Sequence, residues 1–188
     1  MTQQTRFRDV ARALHKLQKC LYCYLGPTDG RGIGVFAARE FGSGETVMMD
    51  CDGDFFDDVM TLEELQASDI FDYPLQVGEN AFRIPTGGIE DFTNHSCAPN
   101  TGICRIAQGI VVIAIRDIRV HDEITFDYST WLSTPSLQFE CRCGSAHCRK
   151  IISYFSSLPD HLKEYYISLG VVGDFVLETV REDFSAQR

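Results

Sequence analysis

Three features of the sequence predict a mainly β chain, a β+α fold of several short-stranded sheets with a helix before them and helices after. Apolar runs are short and broken by glycine, no strand–helix alternation appears, and helical periodicity is confined to the two ends. Phe7, Val10, Ala11, Leu14, Leu17 and Leu21 recur at three- and four-residue steps, which predicts an N-terminal helix over 1–20. A short strand over 21–25 runs into Gly26-Pro27-Thr28-Asp29-Gly30, a dense turn signal. Val35-Phe36-Ala37 is the next strand, Phe41-Gly42-Ser43-Gly44-Glu45 the next turn, and 46–49 a third strand. Thr61 with Glu64 three residues on is a helix-start signal. Glycines and prolines between Leu75 and Pro99 predict irregular chain there. The stretches 103–106 and 110–115, joined by Ala-Gln-Gly, read as a β-hairpin, and 124–128 as one more strand. Beyond Pro159 apolar spacing predicts two helices around Gly170 and Gly173.

Composition narrows the function. The chain has 188 residues, 44% apolar and 23% charged, which is the make-up of one soluble globular domain. The apolar run 110–115 is far too short to cross a bilayer, and the first six residues contain no apolar stretch. The expectation is an intracellular protein, cytoplasmic or nuclear, without a membrane partner. With 17 basic against 27 acidic residues the net charge is −10, which argues against direct nucleic-acid binding. The stretch 50–91 holds 12 acidic residues and one basic, so it reads either as a solvated face or as a docking surface for a basic protein or peptide. Counted from Asp50, positions six and twelve of a calcium loop fall on Phe55 and Thr61, so that reading fails.

Three of the eight cysteines, Cys141, Cys143 and Cys148, fall in one small loop. Thiolates at that density suit zinc, which takes four tetrahedral ligands. Spacing leaves the fourth open among Cys97, Cys104, Cys51, His147, Cys20 and Cys23, with Cys97 the best by local chemistry. Free cysteines without metal, or a redox role, are the competing readings. Gly32-Ile33-Gly34-Val35-Phe36-Ala37 matches G-x-G-x-x-A formally, but a turn follows where the dinucleotide motif needs a helix. The match is therefore formal only, although close backbone approach to a ligand remains open to these glycines.

Three separated motifs resemble one family, the SET-domain protein lysine methyltransferases. They are Gly30-Arg31-Gly32-Ile33-Gly34-Val35-Phe36-Ala37, Asn94-His95-Ser96-Cys97-Ala98-Pro99-Asn100 and Asp122-Glu123-Ile124-Thr125-Phe126-Asp127-Tyr128. The cysteine loop resembles the post-SET zinc motif, and the short chain with its tail looks like small stand-alone bacterial members. The resemblance implies a SET fold with a pseudoknot, divided as N-terminal helix 1–20, SET domain 21–130, post-SET zinc loop 131–150 and helical extension 151–188. It implies that Gly32, Ile33, Gly34, Asn94, His95 and Tyr128 contact S-adenosylmethionine, that Tyr128 is the catalytic tyrosine, and that Cys97, Cys141, Cys143 and Cys148 hold Zn2+. Phe126 and Trp131 are the implied substrate-channel residues. Phe126 two positions before the tyrosine implies capacity for di- or trimethylation. Phe139 is a further candidate to cover the cofactor or the channel.

The implied reaction moves a methyl group onto a neutral lysine amine. A free lysine has a pKa of about 10.4, so about one in 10³ is uncharged at neutral pH and generating the amine costs roughly 4–5 kcal/mol. An aromatic channel and a neighbouring sulfonium both disfavour the ammonium, so no strong base is obligatory. One departure is Cys51, where the family places an aromatic; Phe55, Tyr73 or Trp131 are the candidates to replace that wall. The alternative function is a catalytically inactive zinc-stabilised module that binds basic peptides.

Overall fold

The computed structural model describes residues 22–50, 55–56, 59–68, 75–85 and 87–186. The expected N-terminal helix, Cys20, Cys51 and Tyr73 lie outside the described residues. In chain order the first strands are β1 Cys23–Pro27, β2 Ile33–Ala37, β3 Thr46–Asp50, β4 Val59–Met60, β5 Leu75–Gly78 and β6 Ala81–Arg83. They are followed by β7 Asn94–His95, β8 Thr101–Ile106, β9 Gly109–Ala114, β10 Glu123–Phe126, β11 Phe139–Glu140 and β12 Ile151–Ile152. The helices are α1 Leu62–Gln66, α2 Asp160–Ser168 and α3 Asp174–Ala186.

The strands make four small sheets, in the orders β1-β2-β10-β7, β3-β9-β8, β4-β6-β5 and β11-β12. The expected hairpin is β8 and β9, in register from Thr101 opposite Ala114 to Ile106 opposite Gly109. Its inward residues Ile103, Ile110, Val112 and Ala114 are buried with Val35, Ile124 and Phe41 in the main core. That alternation fixes register, because a one-residue slip would turn the apolar set outward. The Thr61 signal at α1 is a complete capping box: Glu64 N–H donates to Thr61 Oγ1 at 3.2 Å and Thr61 N–H to Glu64 Oε2 at 2.8 Å.

Two expectations need correction. The stretch after Leu75 is not irregular: β5 and β6 form a tight hairpin whose register shifts between Gln76 and Gly78. Gly78 sits at that irregularity, so the glycine marks a bulge rather than the absence of a strand. The strand expected over 124–128 stops at Phe126, and Tyr128 opens a 3-10 turn, Tyr128–Trp131. Asp127 causes the break, its side chain capping the turn by accepting from Ser129 N–H at 3.1 Å.

The C-terminal helices complete the core. Phe155, Leu158, Tyr166, Val171, Val172, Phe175 and Val176 are buried in the same cluster as the hairpin. Gly170, at φ +67°, ends the run after α2 in the left-handed region that favours glycine. Gly102 on β8 is dictated by space: a Cβ there would stand 2.5 Å from Val171 Cβ. Gly102→Ala is expected to destabilise the chain by about 1–3 kcal/mol through overpacking, read as a lower midpoint in urea. An unchanged midpoint would show that the 171–176 segment does not dock on β8 in solution.

Candidate active site and metal centre

The site is built where β7 runs parallel to β10, with Asn94 opposite Thr125 and His95 opposite Phe126. Ser96 N–H extends the pairing to Phe126 O at 3.0 Å, and Asn100 closes it by donating to Glu123 O at 2.8 Å and accepting from Thr125 N–H at 2.9 Å. Two motifs thirty residues apart thereby become one layer. Gly32 and Gly34 join it through β2, which pairs with β10 at Phe36–Glu123 and Val35–Ile124.

The glycines differ in what they supply. Gly32 has φ +73° with open space where a Cβ would be, and Ile33 is exposed. Gly34 has no such space: a Cβ would meet Thr28 Cγ2 at 2.6 Å, Glu123 Oε1 at 2.8 Å and Asn94 Nδ2 at 2.9 Å. Asn94 donates to Glu123 Oε1 at 2.9 Å, and Arg31 donates to the same oxygen at 3.1 Å. An exposed Gly32–Ile33 backbone beside the half-buried Asn94 amide fits a polar ligand lying across it.

Tyr128 stands between two neighbourhoods. Its ring centroid is 5.3 Å from His95 on the Asn94 side and 4.8 Å from Phe126. Its hydroxyl donates to the Thr93 carbonyl at 2.9 Å. An open cavity is lined by Tyr128, Phe126, Trp131 and Phe139 together with Thr93 and Glu90. Trp131 is almost wholly buried and held by its Nε1–H donating to Ile103 O at 3.1 Å. Of the candidates to replace the Cys51 wall, Trp131 lines the cavity. Phe55 is buried under the Arg83 guanidinium, 4.3 Å from its ring centroid.

The acidic stretch is partly internal. Asp50 is buried, and its Oδ2 accepts from Arg83 Nη2 at 2.6 Å, while Arg83 Nη1 donates to Asp91 Oδ1 at 3.2 Å. Sequence reasoning placed these charges at the surface and missed Arg83, Glu90 and Asp91. The signal was one lone Arg83 amid twelve acids.

At the cysteine loop, Cys97 Sγ is 3.7 Å from Cys141 Sγ, and the donor atoms of His95, Cys97, Cys141 and Cys143 all lie within 4.8 Å of one another. Cys148 packs on the same cluster, its Sγ 3.7 Å from Cys141 O. The other candidates lie elsewhere: Cys104 donates to Gly170 O at 3.3 Å, Cys23 is in the main core and His147 is exposed. The donor set fits a metal. Burial raises the Cys97 thiol, and the Arg149 backbone N–H at 3.3 Å opposes it. Burial also raises Cys143, but backbone N–H groups of Cys97 and Ser145, together with side-chain hydrogen bonds from Cys141 and Cys148, outweigh it and bring the thiol down to about 7. N–H donors aimed at sulfur favour thiolates.

The tautomer of His95 decides its part. Tyr128 N–H donates to Nδ1 at 3.1 Å, so Nδ1 is an acceptor and the neutral ring carries its proton on Nε2. Nε2, 3.2 Å from Cys97 Sγ, therefore donates to that sulfur instead of ligating. Burial pushes His95 down to about 4, Asp127 opposing it only in part. With Nε2 committed to Cys97, His95 offers no free nitrogen to a metal, and Cys148 is the remaining thiol packed on the cluster.

Asp127, with its side chain wholly buried, ties these parts together. It accepts from Arg149 Nη2 at 2.7 Å and from the Tyr166 hydroxyl of α2 at 3.1 Å. Tyr166, in the first of the two helices that apolar spacing predicts beyond Pro159, is raised by burial and then by Asp127.

The site thus joins a short parallel pairing of β7 with β10, the Asp127–Tyr128 strand end and a cysteine cluster, and comparison with known proteins shows which fold carries it. The SET domain family model matches residues 32–129, more than half of the chain. A Xenopus laevis histone-lysine N-methyltransferase, SUV39H1, is 24% identical over 182 residues, covering 75% of this chain and 42% of its own length. An Emericella nidulans histone-lysine N-methyltransferase, H3 lysine-4 specific, is 37% identical over 90 residues, covering 43% of this chain and 7% of its own. The chain spans less than half the length of these relatives. Among solved structures, Arabidopsis thaliana SUVH6 in complex with SAM superimposes with TM-score 0.57 at 19% identity, over 73% of this chain and 34% of that one. The methyltransferase domain of human SETMAR gives 0.53 at 22%, over 69% and 57%. This chain belongs to the SET domain family.

Tyr166→Phe is expected to cost about 1.5–3 kcal/mol, the range for a hydrogen bond to a charged group, with no change in cavity-lining residues. Urea denaturation reads it, and a loss below a few tenths of a kcal/mol would remove Tyr166 from the Asp127 network.

Proposed function

We propose that this chain transfers methyl groups from S-adenosylmethionine to a lysine side chain of a basic, histone-like protein. The supporting observation is Tyr128, whose ring packs on His95, next to Asn94, and also lines the cavity shared with Phe126 and Trp131. In this reading Gly32, Ile33, Gly34, Asn94, His95 and Tyr128 form the cofactor side. The cofactor, when bound, supplies an electrophilic methyl group on a positive sulfonium.

The chain's own residues do the rest. Phe126, Trp131 and Phe139 strip water from the incoming side chain, which favours the neutral amine. Tyr128 orients that amine through a hydroxyl already fixed by the Thr93 carbonyl. Holding the amine in line converts a bimolecular encounter into an intramolecular one, where much of the acceleration arises. Phenylalanine at 126 lacks a hydroxyl to pin the amine in one rotamer, so successive methylations proceed. Cys97, Cys141, Cys143 and Cys148 hold Zn2+, with His95 donating to Cys97. The partner is protein and not nucleic acid or membrane, in an intracellular setting. No helix among the described residues is long and apolar enough to cross a bilayer.

The function is tested with labelled methyl donor and a histone mixture. Tyr128→Phe is expected to lower incorporation by on the order of 10²-fold, the cost of misplacing a reacting atom by about 1 Å. Wild type is expected to reach di- or trimethyl product by mass spectrometry, and Phe126→Tyr to stop earlier. Equal labelling by wild type and Tyr128→Phe would remove the tyrosine from its role. The metal is tested separately by elemental analysis. Wild type is expected to hold one zinc per chain and Cys148→Ser to lose it; full retention by Cys148→Ser would return the fourth position to His95.

A further inference from the structure

The cavity carries more chemistry than Tyr128 uses. Thr93, 5% exposed, lines it, and its Oγ1 has no hydrogen-bond partner among the described residues. A buried hydroxyl left open on a cavity wall is costly unless a polar group fills the place. Immediately before Thr93 comes the 3-10 turn Ile89–Phe92, and Thr93 N–H donates to Glu90 O at 3.1 Å. Glu90 is thus one short turn from the carbonyl that holds the Tyr128 hydroxyl, and it lines the same cavity. Its carboxyl folds back over Gly88, where a Cβ would take its place.

Resting on the methyltransferase reading, we propose that Glu90 accepts the proton of the substrate ammonium. An N–H bond of the ammonium breaks, its electron pair stays on nitrogen, and the proton moves to a carboxylate oxygen of Glu90. The neutral amine then faces the methyl donor, and Glu90 returns the proton to solvent after the product leaves.

The surroundings make Glu90 suited to this. The groups facing it are Asp50 on β3, Arg83 on β6, Asp91 in its own turn and Tyr128 across the cavity. Burial, then a hydrogen bond with Asp50, then the charges of Asp50 and Asp91 lift the Glu90 carboxyl to about 8. Arg83 does not cancel this, because its guanidinium lies 2.6 Å from Asp50 and 3.2 Å from Asp91 but 3.8 Å from Glu90. Magnitude decides the matter. An ordinary carboxylate is about six pKa units too acidic to take a proton from lysine at about 10.4, a factor of about 10⁶. From about 8 the gap shrinks to a few hundredfold, within reach of a base tuned to the working pH. A carboxyl serving only as a buried ion-pair partner would leave the rate profile indifferent to its removal.

The test is kcat/KM against pH 6–10 for a basic peptide, in wild type, Glu90→Gln and Gly88→Ala. It is repeated with the target lysine replaced by aminoethylcysteine, whose amine is more acidic. Wild type is expected to rise through half its maximum near pH 8 and to level off about one pH unit higher. Glu90→Gln keeps the shape of protonated glutamate, so its melting and its binding of S-adenosylhomocysteine are expected to match wild type. Its rate at pH 8 is expected to fall at least about tenfold, to keep rising at higher pH, and to recover in part with aminoethylcysteine. Gly88→Ala, which displaces the carboxyl without deleting it, is expected to shift the profile in the same direction. A Glu90→Gln profile that overlays wild type, or equal losses on both amines, overturns the proposal and leaves the methyltransferase reading standing. No methyl transfer by wild type on any basic substrate overturns both.

Discussion

The buried carboxylate of Asp127 is the constraint on which the rest of the site depends. Taking an ionised carboxylate out of water costs several kcal/mol unless it is paired and hydrogen-bonded. Here the donors come from three parts of the chain: the Ser129 amide of the adjoining turn, Arg149 just after the cysteine loop, and Tyr166 of α2. No one of these segments satisfies Asp127 alone. Folding of the strand end is therefore coupled to docking of both C-terminal segments, and the residue next in sequence is Tyr128. Its backbone is set by Asp127 and its hydroxyl by Thr93, so little freedom remains for the ring.

His95 carries the same coupling on the other side. Its ring spans from the Tyr128 amide to Cys97 Sγ, so both imidazole nitrogens are committed. A metal ion would draw the Cys97, Cys141 and Cys143 sulfurs to one point, and the position of His95 would be read out at Tyr128. Such a bridge rewards a histidine held neutral, since a second ring proton would remove the acceptor that Tyr128 N–H uses. Burial keeps it neutral. Cysteine loop, histidine and tyrosine form one mechanical unit with no long element in it.

The parts legible in the sequence were those encoded by local chemistry. The β8–β9 hairpin follows from alternation about a turn, α1 from its capping box, the C-terminal helices from apolar spacing, and the cysteine cluster from thiol density. What escaped was set by partners distant in sequence. Tyr166 looks like any apolar helix position until Asp127 is beneath it. Glycine at 78 suggested broken chain, because a bulge is recognisable only once the partner strand is known. Gly34 is the instructive case: the motif suggested a backbone made bare for a ligand, whereas the structure gives it a packing reason, contact with Thr28, Glu123 and Asn94. Gly32, with open space in front, keeps the ligand reading.

If the chain acts as proposed, the acidic stretch bears on how a cationic substrate would be recognised. Charges spread over a surface would attract a basic chain along its length and be screened by salt. Asp50, Glu90 and Asp91 instead converge on the single guanidinium of Arg83 beside the cavity, three carboxyls against one cation. If all three were ionised the cluster would carry excess negative charge in a poorly solvated place. A proton held on Glu90 relieves it, and so would an ammonium entering the cavity on the proposed reading. Those two ways of neutralising one cluster exclude each other in part, which ties substrate entry to the protonation of a carboxyl. On the proposed reading, recognition of positive charge would belong to the tip of one side chain, beside Tyr128, and not only to a complementary outer face.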